Sequence, residues 1–224
     1  MKEEKQRIRL VIWEAMEKRG IARFPRPVKG RIPNFAGAET AAGLLVNTRV
    51  WKSSSVLKIN PDSPQRPVRQ RALEEGKLLI MPTPRLKSGF IILDPSLIPQ
   101  RYYKDASTIR GAFRLGKIVP ADDLPNTVSH VDLIVEGSVA VDREGGRLGK
   151  GEGYGDKEYA SLHNIGLVDR CTPIATTVHD IQVWKEPLPQ EPHDAKVWLI
   201  ATPSRLIVTR YGEEKSSECG IGLV

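Results

Sequence analysis

Short apolar runs separated by helix-like stretches are what most limits the architectures open to this chain. Runs suited to strands fall at 56–59, 78–81, 90–93, 131–136, 174–178, 197–201 and 206–209, rich in valine, leucine and isoleucine. Between them, 67–75 opens on proline and reads as a short helix, and 106–115 reads as another. Strands covered on both faces lose their apolar–polar alternation, and strands that alternate with helices build parallel sheets. The expected class is therefore α/β, with a mostly parallel sheet and helices on both faces. Ligands in such sheets sit beyond the carboxyl ends of the strands.

Ahead of this core, residues 2–19 place Ile8, Val11, Ile12, Ala15 and Met16 at helical spacing, with Gly20 as a stop. Prolines at 25, 27 and 33 then preclude regular structure, and helical character resumes over 38–46. The expected layout is one domain over 1–224: a helix to 20, a proline-rich arm over 21–37, and the α/β core over 38–224.

The most chemically informative segment runs from Gly145 to Tyr159. Glycines at 145, 146, 149, 151 and 153 are interleaved with Arg147 and Lys150 and followed by Asp156. Glycine lets backbone amides approach a ligand with no Cβ in the way, and consecutive inward amides form an anion-binding nest. The segment follows an apolar run and leads into a helix-like stretch over 156–164, an order that cradles phosphate. It fits neither common phosphate fingerprint. Lys150 is followed by Gly151 rather than Ser or Thr, and Tyr154 stands where a dinucleotide motif would need its third glycine. A solvated glycine-rich hairpin fits the same composition, although the basic residues and trailing carboxylate favour an anion site.

A net charge of +7 suits an anionic ligand without choosing among nucleic acid, ATP or polyglutamylated cofactors. Aromatics at 6% are thin for a base-stacking surface. No run approaches the roughly 18 apolar residues of a membrane span, and the N-terminus lacks the apolar stretch of a signal peptide. Only Cys171 and Cys219 occur, far apart, so a reduced cytoplasmic protein is expected.

Other constellations are weaker. Lys5 and Arg9, spaced i, i+4, project together from the first helix, either as a solvated face or toward a ligand. A short echo pairs His179 and Asp180 with His193 and Asp194. Adjacent strand residues point to opposite faces, which argues against a four-ligand metal site. One aspartate holding the magnesium of a nucleotide is the better reading. There is no Gly-x-Ser-x-Gly elbow for a hydrolase triad. Trp13 and Trp51 read as packing residues.

Taken together, these pieces resemble the 5-formyltetrahydrofolate cyclo-ligase (methenyltetrahydrofolate synthetase) family. Its members carry an N-terminal Lys-x-x-x-Arg helix and the loop Gly-x-Arg-Leu-Gly-Arg-Gly-Gly-Gly-Tyr-Tyr-Asp-Arg. The counterparts here are Lys5 with Arg9, and the run from Gly145 to Lys157. The likeness is greatest to the divergent methenyltetrahydrofolate synthetase domain-containing branch, on residues 24–27, 31–35, 149–153, Glu158, Tyr159 and the His-Asp pairs.

The resemblance implies a fold like that of ribose-5-phosphate isomerase and the coenzyme A transferases. It implies ATP- and Mg2+-dependent closure of 5-formyltetrahydrofolate to 5,10-methenyltetrahydrofolate, with release of ADP and phosphate. On that pattern Lys5 and Arg9 grip ATP phosphates, together with Gly146, Arg147, Gly149, Lys150, Gly151 and Gly153. Arg147 and Lys150 are the catalytic cations. Tyr154 borders the folate, and Asp156 and Asp194 hold magnesium. The chain departs from the pattern at Lys150 (Arg in the family), Glu152 (Gly) and Gly155 (the second Tyr). The family's pterin-holding glutamate has no clear match, although Asp62 lies nearby. A nucleotide-binding module of the same fold without turnover is the alternative, with RNA a conceivable partner for the basic arm. An isomerase or acyl-transfer activity is also compatible with the fold.

Overall fold

The computed structural model describes residues 1–191 and 194–224. Among the described residues there are ten strands: β1 (Val56–Ile59), β2 (Leu78–Pro82), β3 (Phe90–Leu93), β4 (Lys117–Val119), β5 (Leu133–Glu136), β6 (Ala140–Val141), β7 (Arg147–Leu148), β8 (Ile174–Thr177), β9 (Leu199–Ala201) and β10 (Leu206–Val208). Eight of them form one sheet in the order β10-β9-β8-β5-β1-β2-β3-β4, while β6 and β7 make a separate hairpin. The five central strands, β9 to β2 in that order, are parallel, and the edges are antiparallel. The α/β expectation holds, with antiparallel additions at both sides.

The helices are α1 (Lys2–Lys18), α2 (Ala38–Val46), α3 (Arg49–Ser53), α4 (Arg66–Glu74), α5 (Tyr103–Ala106), α6 (Ile109–Leu115), α7 (Tyr154–Asn164) and α8 (Arg210–Cys219). In β1, Leu57 and Ile59 face one side of the sheet, so Lys58 must face the other. It meets Glu158 there, which puts α7 over that face. The opposite face is covered by α2 and α4, which pack against each other. The main core lies between these layers. A second apolar cluster joins Ile8, Ile12, Trp13 and Met16 of α1 to Val28 and Phe35 of the arm and Leu148 of the hairpin.

Three expectations need correction. The helix foreseen over 106–115 is two helices, because Thr108 caps a new one by accepting from the amide of Gly111 at 2.9 Å. The arm does not simply lie extended over the surface. Its ends pair through Ala22 and Phe35, its apolar residues are buried, and Arg26 pairs with Glu17. Finally, the cysteines are not reduced: Cys171 and Cys219 form a disulfide that ties the loop before β8 to the last turn of α8. That helix is polar and lacks a clear apolar stripe, so its docking was not foreseen.

Cross-linking residues 48 apart in sequence restricts the unfolded chain. Cys171→Ser with Cys219→Ser is therefore expected to lower unfolding free energy by about 3 kcal/mol. Urea midpoints with and without reductant check this. A midpoint insensitive to both would show that the bridge contributes nothing.

Candidate functional site

Strand order reverses between β1 and β5, and a cleft of about 810 Å³ opens beyond the carboxyl ends of β1, β2 and β5. This is the topological switch point at which α/β sheets bind ligands. Three stretches line it: 60–62 after β1, 83–85 after β2, and Glu136 with Gly137 at the end of β5. Across from these lie Lys5 and Arg9 of α1, the loop over 148–153, and the first turn of α7.

The glycine loop splits in two. Gly145 and Gly146 belong to the turn of the β6–β7 hairpin, where the Gly146 amide donates to Asp142 Oδ1 at 2.7 Å. Gly146 is thus turned away from the cleft, contrary to the sequence expectation. Beyond β7 the chain leaves the ladder. None of the amides from Gly149 to Gly153 has an acceptor among the described residues. Gly151 has φ +103°, a conformation that residues with a Cβ rarely adopt. The Arg9 guanidinium lies against this loop and donates through Nε to the Gly149 carbonyl at 2.7 Å. Five backbone donors at a helix N-terminus, beside buried cations, make an anion-binding concavity.

The cations around it are differently employed. Arg147 is buried; its Nη1 donates to the Gly137 carbonyl at 3.1 Å, and its Nη2 lies 3.5 Å from Asp156. Its Nε is buried and has no hydrogen-bond partner among the described residues. Lys150 pairs with Glu152 at 3.0 Å, so the loop carboxylate faces Lys150 rather than Lys157, which lies over the Tyr154 ring. Lys5 donates to Asp194 at 2.6 Å. Burial lowers the proton affinity of the Arg9 guanidinium, with Asp194 opposing.

Below this rim is a group that sequence reasoning missed. Lys58 is wholly buried and its Nζ donates to Asn60 Oδ1, Glu136 Oε1 and Glu158 Oε2, each at 2.5 Å. Asn60 also donates to Glu136 Oε2 at 2.9 Å. Burial drives the Glu158 pKa up to about 7, with Lys58 pulling against it. Burial acts on Glu136 in the same sense, but Lys58 and Arg147 hold its carboxyl below the usual range. Glu136 therefore keeps its charge, and Glu158 is the member that accepts a proton. The available signal was a lysine in the middle of the apolar run over 56–59.

Gly155 explains why this group can reach the cleft. A Cβ there would lie 2.8 Å from Arg147 Nη2 and 3.0 Å from Glu136 Oε2. A larger residue at 155 would press on the ends of both side chains.

For a metal, Asp156 and Asp194 come to the same corner, since Asp156 Oδ1 accepts from the Ala195 amide at 3.3 Å. Among the described residues no three His, Cys, Asp or Glu side chains cluster as ligands. The donor set fits a hard cation that takes one or two carboxylates and draws its remaining ligands from phosphate and water. His179 and Asp180 are occupied elsewhere. His179 Nδ1 accepts from the Ile181 amide at 3.2 Å, and Asp180 accepts from Thr202 at 2.8 Å. His193 lies outside the described residues. No helix among the described residues is long and apolar enough to cross a membrane.

Comparison with known proteins adds to this geometry. The model of the 5-formyltetrahydrofolate cyclo-ligase family matches residues 1–203. The methenyltetrahydrofolate synthase domain-containing protein of Mus musculus is 44% identical over 92% of this chain and 55% of its own length. The chain thus spans about half the length of such relatives. The 5-formyltetrahydrofolate cyclo-ligase of Mycolicibacterium smegmatis is 29% identical over 61% of this chain and 65% of that one. The solved 5,10-methenyltetrahydrofolate synthetase of Aquifex aeolicus shares the fold with a TM-score of 0.56, at 21% identity, over 92% of this chain and 93% of that one.

Proposed function

The chain belongs to the 5-formyltetrahydrofolate cyclo-ligase family, and we propose that residues 1–224, acting as one domain, close 5-formyltetrahydrofolate to 5,10-methenyltetrahydrofolate with ATP and Mg2+. The observation that carries this reading is the row of unpartnered amides over 149–153, set among Arg9, Arg147 and Lys150 in one cleft with Asp156. ATP would supply the phosphoryl group that turns the formyl oxygen into a leaving group, and magnesium would offset its charge. Phosphoryl transfer asks a protein chiefly for position and charge.

In this reading the loop amides, Arg9 and Lys5 hold the phosphates. The guanidinium of Arg147, which lines the cleft, and the ammonium of Lys150 meet the charge that develops on the transferred group. Lys5 and Lys150 already hold carboxylates, Asp194 and Glu152. Both lysines would exchange those partners for phosphate oxygens when the nucleotide enters. Asp156 and Asp194 would hold magnesium, and Tyr154 would border the folate. Asp62, whose carboxyl burial pushes above its usual range, stands with Glu136 and Glu158 as acceptors for the N–H groups of a pterin.

The test is direct. Purified protein with 5-formyltetrahydrofolate, ATP and Mg2+ is expected to develop methenyl absorbance and release ADP in equal amount. ATP binding by calorimetry without either product would favour a nucleotide-binding module lacking turnover. The Lys150–Glu152 pair is the feature that supports this second reading, because it holds a carboxylate beside the phosphate position.

A further inference from the structure

The wall of the cleft after β2 carries a cation that the proposed chemistry leaves unused. Thr83 Oγ1 donates to the Gly89 carbonyl at 2.8 Å and accepts from the Ser88 amide at 3.1 Å, which closes the turn at its base. Gly89 rests on β4 so closely that a Cβ would lie 2.3 Å from the Val119 carbonyl oxygen. Leu86 packs against the main core from the other side. Held at these points, Arg85 and Leu86 both take left-handed backbone, φ +58° and +56°. They are the only non-glycine residues with positive φ among those described. Two such residues in succession are unusual, and conformations of this kind gather at ligand clamps.

The consequence is one of direction. With Leu86 turned inward, Arg85 is exposed on the cleft wall, where Pro84 and Ile109 supply apolar surface. Its guanidinium makes no hydrogen bond or ion pair among the described residues, whereas Lys5, Arg9, Arg147 and Lys150 each have polar partners. The turn also touches α7, so it closes over the same cleft as the glycine loop.

We propose that this wall is a subsite for the anionic tail of the substrate, with Arg85 taking a carboxylate and Pro84 and Ile109 the apolar linker before it. The inference rests on the cyclo-ligase reading, in which the substrate is a reduced folate bearing an aminobenzoyl linker and a glutamyl carboxylate. A planar guanidinium suits a carboxylate at a position where lysine would offer only a point charge.

Two ligands and two variants test it: 5-formyltetrahydrofolate and 5-formyltetrahydropteroate, which lacks the glutamate, bound calorimetrically to the unmutated protein, Arg85→Ala and Arg85→Lys. The unmutated protein is expected to prefer the glutamyl ligand about tenfold, the size of one charge-assisted hydrogen bond. Arg85→Ala should erase that preference by weakening the glutamyl ligand alone, and Arg85→Lys should keep part of it. No preference in the unmutated protein, or an equal loss for both ligands in Arg85→Ala, overturns the subsite and leaves the cyclo-ligase reading standing. If the unmutated protein binds neither ligand, both fall together.

Discussion

Arg147→Ala is expected to lower methenyl formation at saturating substrates about a thousandfold or more, the scale on which single cations act in phosphoryl transfer. The reason lies in how the side chain is held. Gly137 and Asp156 fix the guanidinium, and Gly155 leaves room for it on the cleft wall beside Glu136. Such a donor is organised before the substrate arrives, so it stabilises developing charge with no rearrangement. Arg147→Lys keeps the charge but not the fork, and should recover only a small part of the rate. Steady-state rates on folded variants, verified by near-UV circular dichroism, decide the matter. An alanine variant within tenfold of the unmutated protein would remove Arg147 from the chemistry.

Lys58→Met is expected to cost about 3–5 kcal/mol of stability at pH 8, because it leaves Glu136 and Glu158 buried without their shared ammonium. The loss should shrink with falling pH. In the intact protein Glu158 has its carboxyl raised to about 7 from an ordinary 4.5. Proton uptake by Glu158 thus favours the fold below its ordinary value, and that contribution fades as pH rises through 7. Without Lys58 the same carboxylates must protonate at still higher pH, so acid partly repairs the variant. Urea midpoints at pH 5, 6.5 and 8 measure this, and a loss that does not vary with pH would contradict the assignment.

These two residues mark the boundary of what was legible. The strands at 56–59, 78–81 and 90–93 could be read because strands covered on both faces are largely apolar, whether parallel as the first two or antiparallel as the third. The glycine loop could be singled out because few other structures call for glycine and cation in alternation, and it does line the cleft. The floor of the cleft was hidden, because Lys58, Glu136 and Glu158 are 78 and 100 residues apart by the spacings from Lys58, and only the sheet order makes them neighbours. Arg85 was hidden for a different reason. Nothing in its residue type reveals that Leu86 is anchored and that the turn must point its neighbour inward over the cleft. The C-terminal helix buries little apolar surface, so the joining of Cys219 to Cys171 depended on an element without a clear signature.

Gly155 carries a consequence for how such sequences diversify. A side chain added there would press on the ends of Arg147 and Glu136, so an aromatic ring at the first position requires the acid at the second to move aside or be replaced. The two sites should therefore be inherited as a linked pair, and reading them side by side would sort relatives into ring-walled and salt-floored lineages before any assay is run.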